Sequence, residues 1–151
     1  MHPAVPEVSL AIEEVVRLFR RLGPDTGLSL TAAATLASLN RGGPARLTEL
    51  AVQQGVTQPA MTQLVTRLQE AGLAERRADP EDGRVVRVHI TEAGRAELLR
   101  RRALRTERLG SLFERLTPDQ QGALVAALPA IDALTGLAAH GEVRETEGAQ
   151  L

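Results

Sequence analysis

The sequence predicts a mainly α-helical fold carrying one small β-hairpin. Three observations predict it. Apolar residues recur at spacings of three and four near both ends of the 151-residue chain, the period of amphipathic helices. Two capped helical segments flank a glycine in the middle. One stretch, Val86 to Ile90, alternates apolar residues with Arg87 and His89, the period of a half-buried strand.

The first helix carries Val8, Ile12, Val15, Phe19 and Leu22 on one stripe, with Arg17, Arg20 and Arg21 beside it, and Gly23-Pro24-Asp25 stops it. A second helix is expected from Thr31 as N-cap through Leu36 and Leu39 to the break at Gly42-Gly43-Pro44. Thr48 can cap a short helix holding Leu50 and Ala51. Gly55 then makes a turn, and Thr57 can cap a further helix to about Ala71. A short helix, a glycine turn and a second helix form a helix-turn-helix, whose second helix enters the major groove of DNA.

At 100° per residue, Met61, Leu64, Val65 and Leu68 fall on one side of that second helix and form its buried stripe. Pro59, Thr62, Gln63, Thr66 and Arg67 fall on the other. An ordinary solvated face would be richer in Glu and Arg. Gln can pair bidentately with adenine, Arg with guanine, and Thr can offer a hydroxyl or a methyl group.

Gly72-Leu73 ends the helix, and Ala74 to Ile90 reads as a hairpin, or wing, with its turn at Asp79-Pro80-Glu81-Asp82-Gly83. Arg84 stands beside the tip, where a guanidinium can enter a narrow minor groove. Asp79 and Asp82 are expected to hold Arg76, Arg77 or Arg84 by charge-assisted hydrogen bonds.

Two long helices close the chain. The first runs from near Thr91 to Leu116, with Leu109, Leu112, Phe113 and Leu116 on one stripe. Thr117-Pro118-Asp119-Gln120 is a capping box with proline at the first helical position. The helix behind it carries Leu124, Leu128, Ile131, Leu134 and Ala138, and the polar stretch from Gly141 to Leu151 is expected to fray. The apolar faces at both ends need a cover. An interlocked homodimer is preferred, with an intramolecular bundle as the alternative.

Composition excludes several classes of function. The chain has no Cys, so disulfides, thiolate metal sites and thiol redox sensing are absent. All 18 basic residues are Arg; without Lys there is no Walker-type loop and no Schiff-base chemistry. Phe19 and Phe113 are the only aromatic side chains, too few for a single-strand stacking platform. His2, His89 and His140 are scattered, and no metal site or cofactor is expected. No nucleophile elbow, HExxH or phosphate loop is present and Ser is sparse, so no enzyme is expected.

The opening Met-His-Pro-Ala-Val-Pro-Glu does not read as a secretory signal. The most apolar stretch, Ala123 to Ala139, contains Pro129 and Asp132 and reads as too short and too interrupted for a membrane span. A cytoplasmic protein with no membrane partner is expected. The net charge of -1 hides an uneven distribution: residues 46 to 108 carry 12 Arg against 9 acids, whereas residues 109 to 151 carry 2 against 6. The positive excess sits on the segment read as the DNA lobe.

The runs Leu47-Thr48-Glu49-Leu50-Ala51, Pro59-Ala60-Met61-Thr62-Gln63-Leu64-Val65, Leu68-Gln69-Glu70-Ala71-Gly72-Leu73, Arg77-Ala78-Asp79-Pro80-Glu81-Asp82-Gly83-Arg84 and Ile90-Thr91-Glu92-Ala93-Gly94 resemble the MarR (multiple antibiotic resistance regulator) family of winged-helix transcription factors. The continuous match covers Leu47 to about Arg95. The wing signature with Asp79, Asp82 and Arg84 is its most specific part. The resemblance implies one domain over 1-151, with a winged helix-turn-helix lobe at 31-90 flanked by N- and C-terminal dimerisation helices at 7-22 and 92-139.

It also implies a homodimer, with recognition-helix positions Pro59, Ala60, Gln63 and Arg67 at the major groove and Arg84 in the minor groove of double-stranded DNA. The full expected contact set is Thr57, Gln58, Pro59, Ala60, Thr62, Gln63, Thr66, Arg67, Arg77 and Arg84. Gln63 departs from relatives, which often carry a basic residue there, so the base it prefers is open.

Family members often act as repressors that release an inverted-repeat operator when a small phenolic or carboxylate ligand binds between the dimerisation helices and the DNA lobe. Arg17, Arg20 and Arg21 are the candidates for meeting such a ligand, with solvated or inter-subunit ion pairs as the plainer reading. The alternative function is a winged-helix module that binds a protein instead of DNA.

Overall fold

The computed structural model describes residues 1–25 and 27–139; His140 and the stretch Gly141 to Leu151 lie outside the described residues. Six helices and one two-stranded antiparallel sheet follow the order α1 (Val5–Leu22), α2 (Leu30–Gly42), α3 (Leu47–Gln54), α4 (Gln58–Glu70), β1 (Ala74–Ala78), β2 (Val86–Ile90), α5 (Glu92–Phe113) and α6 (Pro118–Ala139). The chain forms two compact units, Met1–Arg108 and Leu109–Leu151.

The first unit is organised around α2, α3, α4 and the hairpin. Leu36, Leu39, Leu50, Met61, Val65, Leu68 and Val88 are almost fully enclosed, and Ile90 joins them. The stripe of α4 is buried as its spacing dictates, because residues at i, i+3, i+4 and i+7 share one face. Thr35 is enclosed too, and its hydroxyl donates to the Thr31 carbonyl at 2.8 Å, so no polar atom is left wanting.

Helix starts show where side-chain type alone misleads. Ser29, not Thr31, caps α2, its Oγ accepting from the Ala32 N–H at 3.1 Å. Both residue types can cap, and Ser29 has the extended backbone the role requires. Nor does Thr48 cap α3. That helix starts at Leu47 behind Arg46, whose N–H donates to the Glu49 carboxylate at 2.8 Å. Thr57 does cap α4, accepting from the Ala60 N–H at 3.3 Å. The turn between α3 and α4 has Gly55 in the left-handed region at φ 62°, where a Cβ would be strained.

The hairpin pairs Ala74 with Ile90, Arg76 with Val88 and Ala78 with Val86. Val86, nearest the tip, is exposed, so only Val88 and Ile90 of the apolar alternation are buried. Ala45 adds a one-residue third edge by exchanging two backbone hydrogen bonds with Val88, at 3.2 and 2.8 Å.

The junction between the hairpin and α5 is tight. The Thr91 hydroxyl donates to the Gly72 carbonyl at 2.6 Å and accepts from the Gly94 N–H at 3.1 Å, capping α5. A Cβ on Gly94 would lie 2.2 Å from the Leu73 carbonyl oxygen. Only glycine fits there.

In the second unit, Thr117 and Gln120 form the expected capping box, with bonds of 3.0 and 3.3 Å. Gln121 donates back to the Phe113 carbonyl at 2.9 Å, closing the turn after α5, which ends at Phe113 and not at Leu116. Helix α6 runs through Pro129 and Asp132 without a break. The expectation of interruption is therefore corrected: Pro118–Ala138, with mean hydropathy 1.4, matches a membrane span in length and composition. Leu124, Leu128, Ile131 and Leu134 are all exposed in the single chain, as are Val8, Ile12, Val15 and Phe19 of α1.

Candidate nucleic-acid interface

The outward face of α4 is built by its own cap and its own carbonyls. With Thr57 fixing the start and Pro59 in the first turn, Gln58, Pro59, Ala60, Thr62, Gln63, Thr66 and Arg67 all lie on the exposed side. Thr57, at the cap, is exposed as well. The Thr62 hydroxyl donates to the Gln58 carbonyl and the Thr66 hydroxyl to the Thr62 carbonyl, each at 2.9 Å.

Strand β1 is tied to this helix by Arg76. Its Nη1 donates to Gln69 Oε1 at 2.7 Å, and its Nη2 to Thr66 Oγ1 at 3.0 Å and to the Thr62 carbonyl at 3.3 Å. Arg77 stands directly opposite Arg87 across the hairpin, a like-charge pairing that is destabilising unless neutralised. Each has its own acid. Arg77 pairs with Glu75, and Arg87 Nε donates to Asp79 Oδ2 at 2.6 Å.

That partner corrects the sequence expectation, which gave Asp79 one of Arg76, Arg77 or Arg84. Arg76 is taken by α4 and Arg77 by Glu75, which leaves Arg87, eight residues away and across the hairpin, to reach the aspartate. Asp79 Oδ1 accepts from the Glu81 N–H at 2.9 Å. This backbone bond, then the bond from Arg87, hold the buried Asp79 carboxyl below its usual range, against the opposing effect of burial. Asp82 shapes the tip by accepting from the Arg84 N–H at 3.1 Å. The Arg84 side chain is 96% exposed, its guanidinium 4.0 Å from Asp82.

A second feature of the same unit is a cavity of about 360 Å³ between the end of α1, the start of α2 and α5. Arg20 lines it with Phe19, Ser29, Arg101 and Arg105. Arg101 is almost wholly buried; Nη2 donates to the Leu28 carbonyl at 3.3 Å and Nη1 lies 3.8 Å from Glu97, while Nε and Nη1 have no hydrogen-bond partner among the described residues. Arg105 sits over the Phe19 ring at 3.9 Å, its Nε also unpartnered. Burial, and then the charge of Arg101, lower the Arg105 pKa.

Of the three sequence candidates for this region, Arg20 alone reaches the cavity, Arg17 pairs with Glu14 at 3.1 Å, and Arg21 is exposed on α1. Arg101 and Arg105 were not legible as cavity residues, because α5 reads as a solvated arginine-rich helix until α1 and α2 cover it.

A cap-fixed helix with a polar, short-chained outer face beside an arginine-tipped hairpin is the geometry of a winged helix-turn-helix. The sequence model of the MarR family matches residues 26–85. An uncharacterised HTH-type transcriptional regulator of Mycobacterium leprae is 34% identical over 110 residues, which is 73% of this chain and 75% of that relative. The chain belongs to the MarR family.

The HTH-type transcriptional repressor IacR of Pseudomonas putida is 33% identical over 82 residues, 54% of this chain and 49% of its own. The crystal structure of RV1404 from Mycobacterium tuberculosis superposes with a TM-score of 0.76 at 26% identity, covering 90% of this chain and 97% of that one. This MarR-family protein is therefore a DNA-binding transcriptional regulator and not an enzyme.

Proposed function

We propose that this regulator is a cytoplasmic homodimeric repressor of an inverted-repeat operator, with α4 of each protomer in the major groove and Arg84 in the flanking minor groove. The observation that carries the reading is the exposed α4 face of Pro59, Thr62, Gln63, Thr66 and Arg67 beside an almost fully exposed Arg84. Ala60 joins them at the major groove, and Thr57, Gln58 and Arg77 complete the contact set as neighbours of the phosphates. Helices 7–22 and 92–139 form the dimer: the apolar residues exposed on α1 and α6 are covered by those of a second copy, not by lipid. The repressor sense follows the likeness to IacR.

A small organic anion, aromatic or carboxylate, releases the DNA by entering the cavity at Arg20, Arg101 and Arg105. The unpartnered, buried nitrogens of Arg101 and Arg105 favour an oxyanion, since each is a charged donor removed from water without an acceptor.

The test is selection of bound fragments from the source genome, followed by anisotropy titrations over a range of salt. The expected result is an inverted repeat with half-site centres about 34 Å apart and a log affinity falling steeply with log salt. Gln63→Ala should cost about 1–3 kcal/mol and relax the preference at one position of each half-site. A flat salt dependence with no enriched sequence would overturn the reading in favour of a protein-binding module.

A further inference from the structure

A threonine in a major groove has two ways to be read, as a hydroxyl or as a methyl group. In α4 the hydroxyl hydrogens are already engaged. Thr62 Oγ1 donates its single hydrogen to the Gln58 carbonyl and Thr66 Oγ1 donates its own to the Thr62 carbonyl. Neither can therefore donate to guanine, to the thymine carbonyl or to a phosphate without first giving up a bond to its own helix.

Arg76 fixes the second of these more firmly. Reaching across from β1, its Nη2 donates to Thr66 Oγ1 while Nη1 holds Gln69, so the Thr66 oxygen is pinned from the strand side. With Oγ held in one staggered well, the methyl takes another. Both threonines are exposed, and they are four residues apart on one face. A separation of four residues is about 6 Å along the helix, close to two base-pair steps of about 3.4 Å. Gln63 flanks them on the same exposed surface, its amide engaged by no described residue.

We propose that α4 reads its operator through the methyl groups of Thr62 and Thr66, packed on the C5-methyls of two thymines in each half-site, and that Arg76 is the positioning residue that holds Thr66 in the methyl-out rotamer. The proposal rests on the reading that α4 enters the major groove.

The experiment replaces each thymine of the selected operator in turn with deoxyuridine, which deletes only the C5-methyl, and measures binding of the full-length protein. Two positions per half-site should weaken binding about threefold to fivefold each, the worth of one buried methyl. Thr66→Val, which keeps the methyl and loses the hydroxyl, should retain this sensitivity. Thr66→Ser should abolish it at one position, and Thr62→Ser at the other. Arg76→Met should weaken it at the Thr66 position alone, where the bond to the Thr62 carbonyl remains, while the salt dependence stays as in the wild type.

Specific binding that tolerates deoxyuridine everywhere would overturn the proposal, as would loss of sequence preference in Thr66→Val with an unchanged melting temperature. Absence of any specific binding would instead bring down the major-groove reading itself, a result seen before a modified base is introduced.

Discussion

Arg84 and Asp79 sit a few residues apart on the wing and do opposite jobs. Arg84 has almost no contact with the rest of the chain, so its removal should leave folding intact. Arg84→Ala should weaken binding on many sequences alike and lower the salt slope by about one in anisotropy titrations. Asp79 is internal, bonded to the Glu81 N–H and to Arg87, and its carboxyl is held below the usual value of 3.8. A lowered folded pKa stabilises the native state above 3.8, and that stabilisation is lost as pH falls from there through the depressed value. Glu97, held below 4.5 chiefly by its hydrogen bond from Arg100, adds to the same acid limb. Asp79→Asn should therefore flatten part, not all, of the fall in urea-unfolding stability measured from pH 5 down to 3. At this scale the sequence told residue type but not partner. The buried stripe of α4 was legible because periodicity fixes a face, whereas the Asp79–Arg87 pair waits on the strand register that brings residue 87 beside the turn.

Among the elements, α5 depends most on one position. Its first turn passes the turn after α4 so closely that a Cβ on Gly94 would meet the Leu73 carbonyl at 2.2 Å and Ile90 Cγ1 at 2.7 Å. One of the two is backbone and cannot yield. Gly94→Ala should cost about 1–3 kcal/mol, the range for overpacking, with the midpoint of urea unfolding as the measurement. Gly94 stood in the family signature without a reason; the close crossing supplies it. Element ends were legible where a local device fixes them, as with Thr117 and Gln120 or with Thr57. They were missed where two capping residue types compete, as Ser29 and Thr31 do. The third sheet edge at Ala45 was invisible for a different reason, since a single paired residue has no period.

For the whole molecule, the exposed leucines of α6 are the main liability. In the proposed dimer Leu128 is buried between copies, so Leu128→Asp should give a monomer in sedimentation velocity with its helical content retained. Affinity for the full operator should then fall to that of a half-site, roughly a hundredfold or more, because two linked contacts become one. Spacing alone announced these faces, yet the continuity of α6 stayed hidden, since Pro129 suggests a stop that the helix does not make. A proline lacks one donor, and a helix can run on past that single missing bond. The arginine-rich middle of the chain was legible as a sum of charge. Its division into exposed Arg67 and Arg84, strand-holding Arg76 and Arg87 and cavity-lining Arg101 and Arg105 was not, because sequence counts charges without saying where they point.

The absent side chain at Gly94 also bears on how the proposed ligand signal would travel. With Thr91 bonded on both sides of the crossing, the start of α5 is tied to the turn that follows α4. Arg101 lies seven residues further along, about 10 Å at 1.5 Å per residue. In the proposed ligand release, a tilt of α5 at the cavity would therefore be handed on through this crossing to the turn behind α4, and α5 would act as a crank with a short throw.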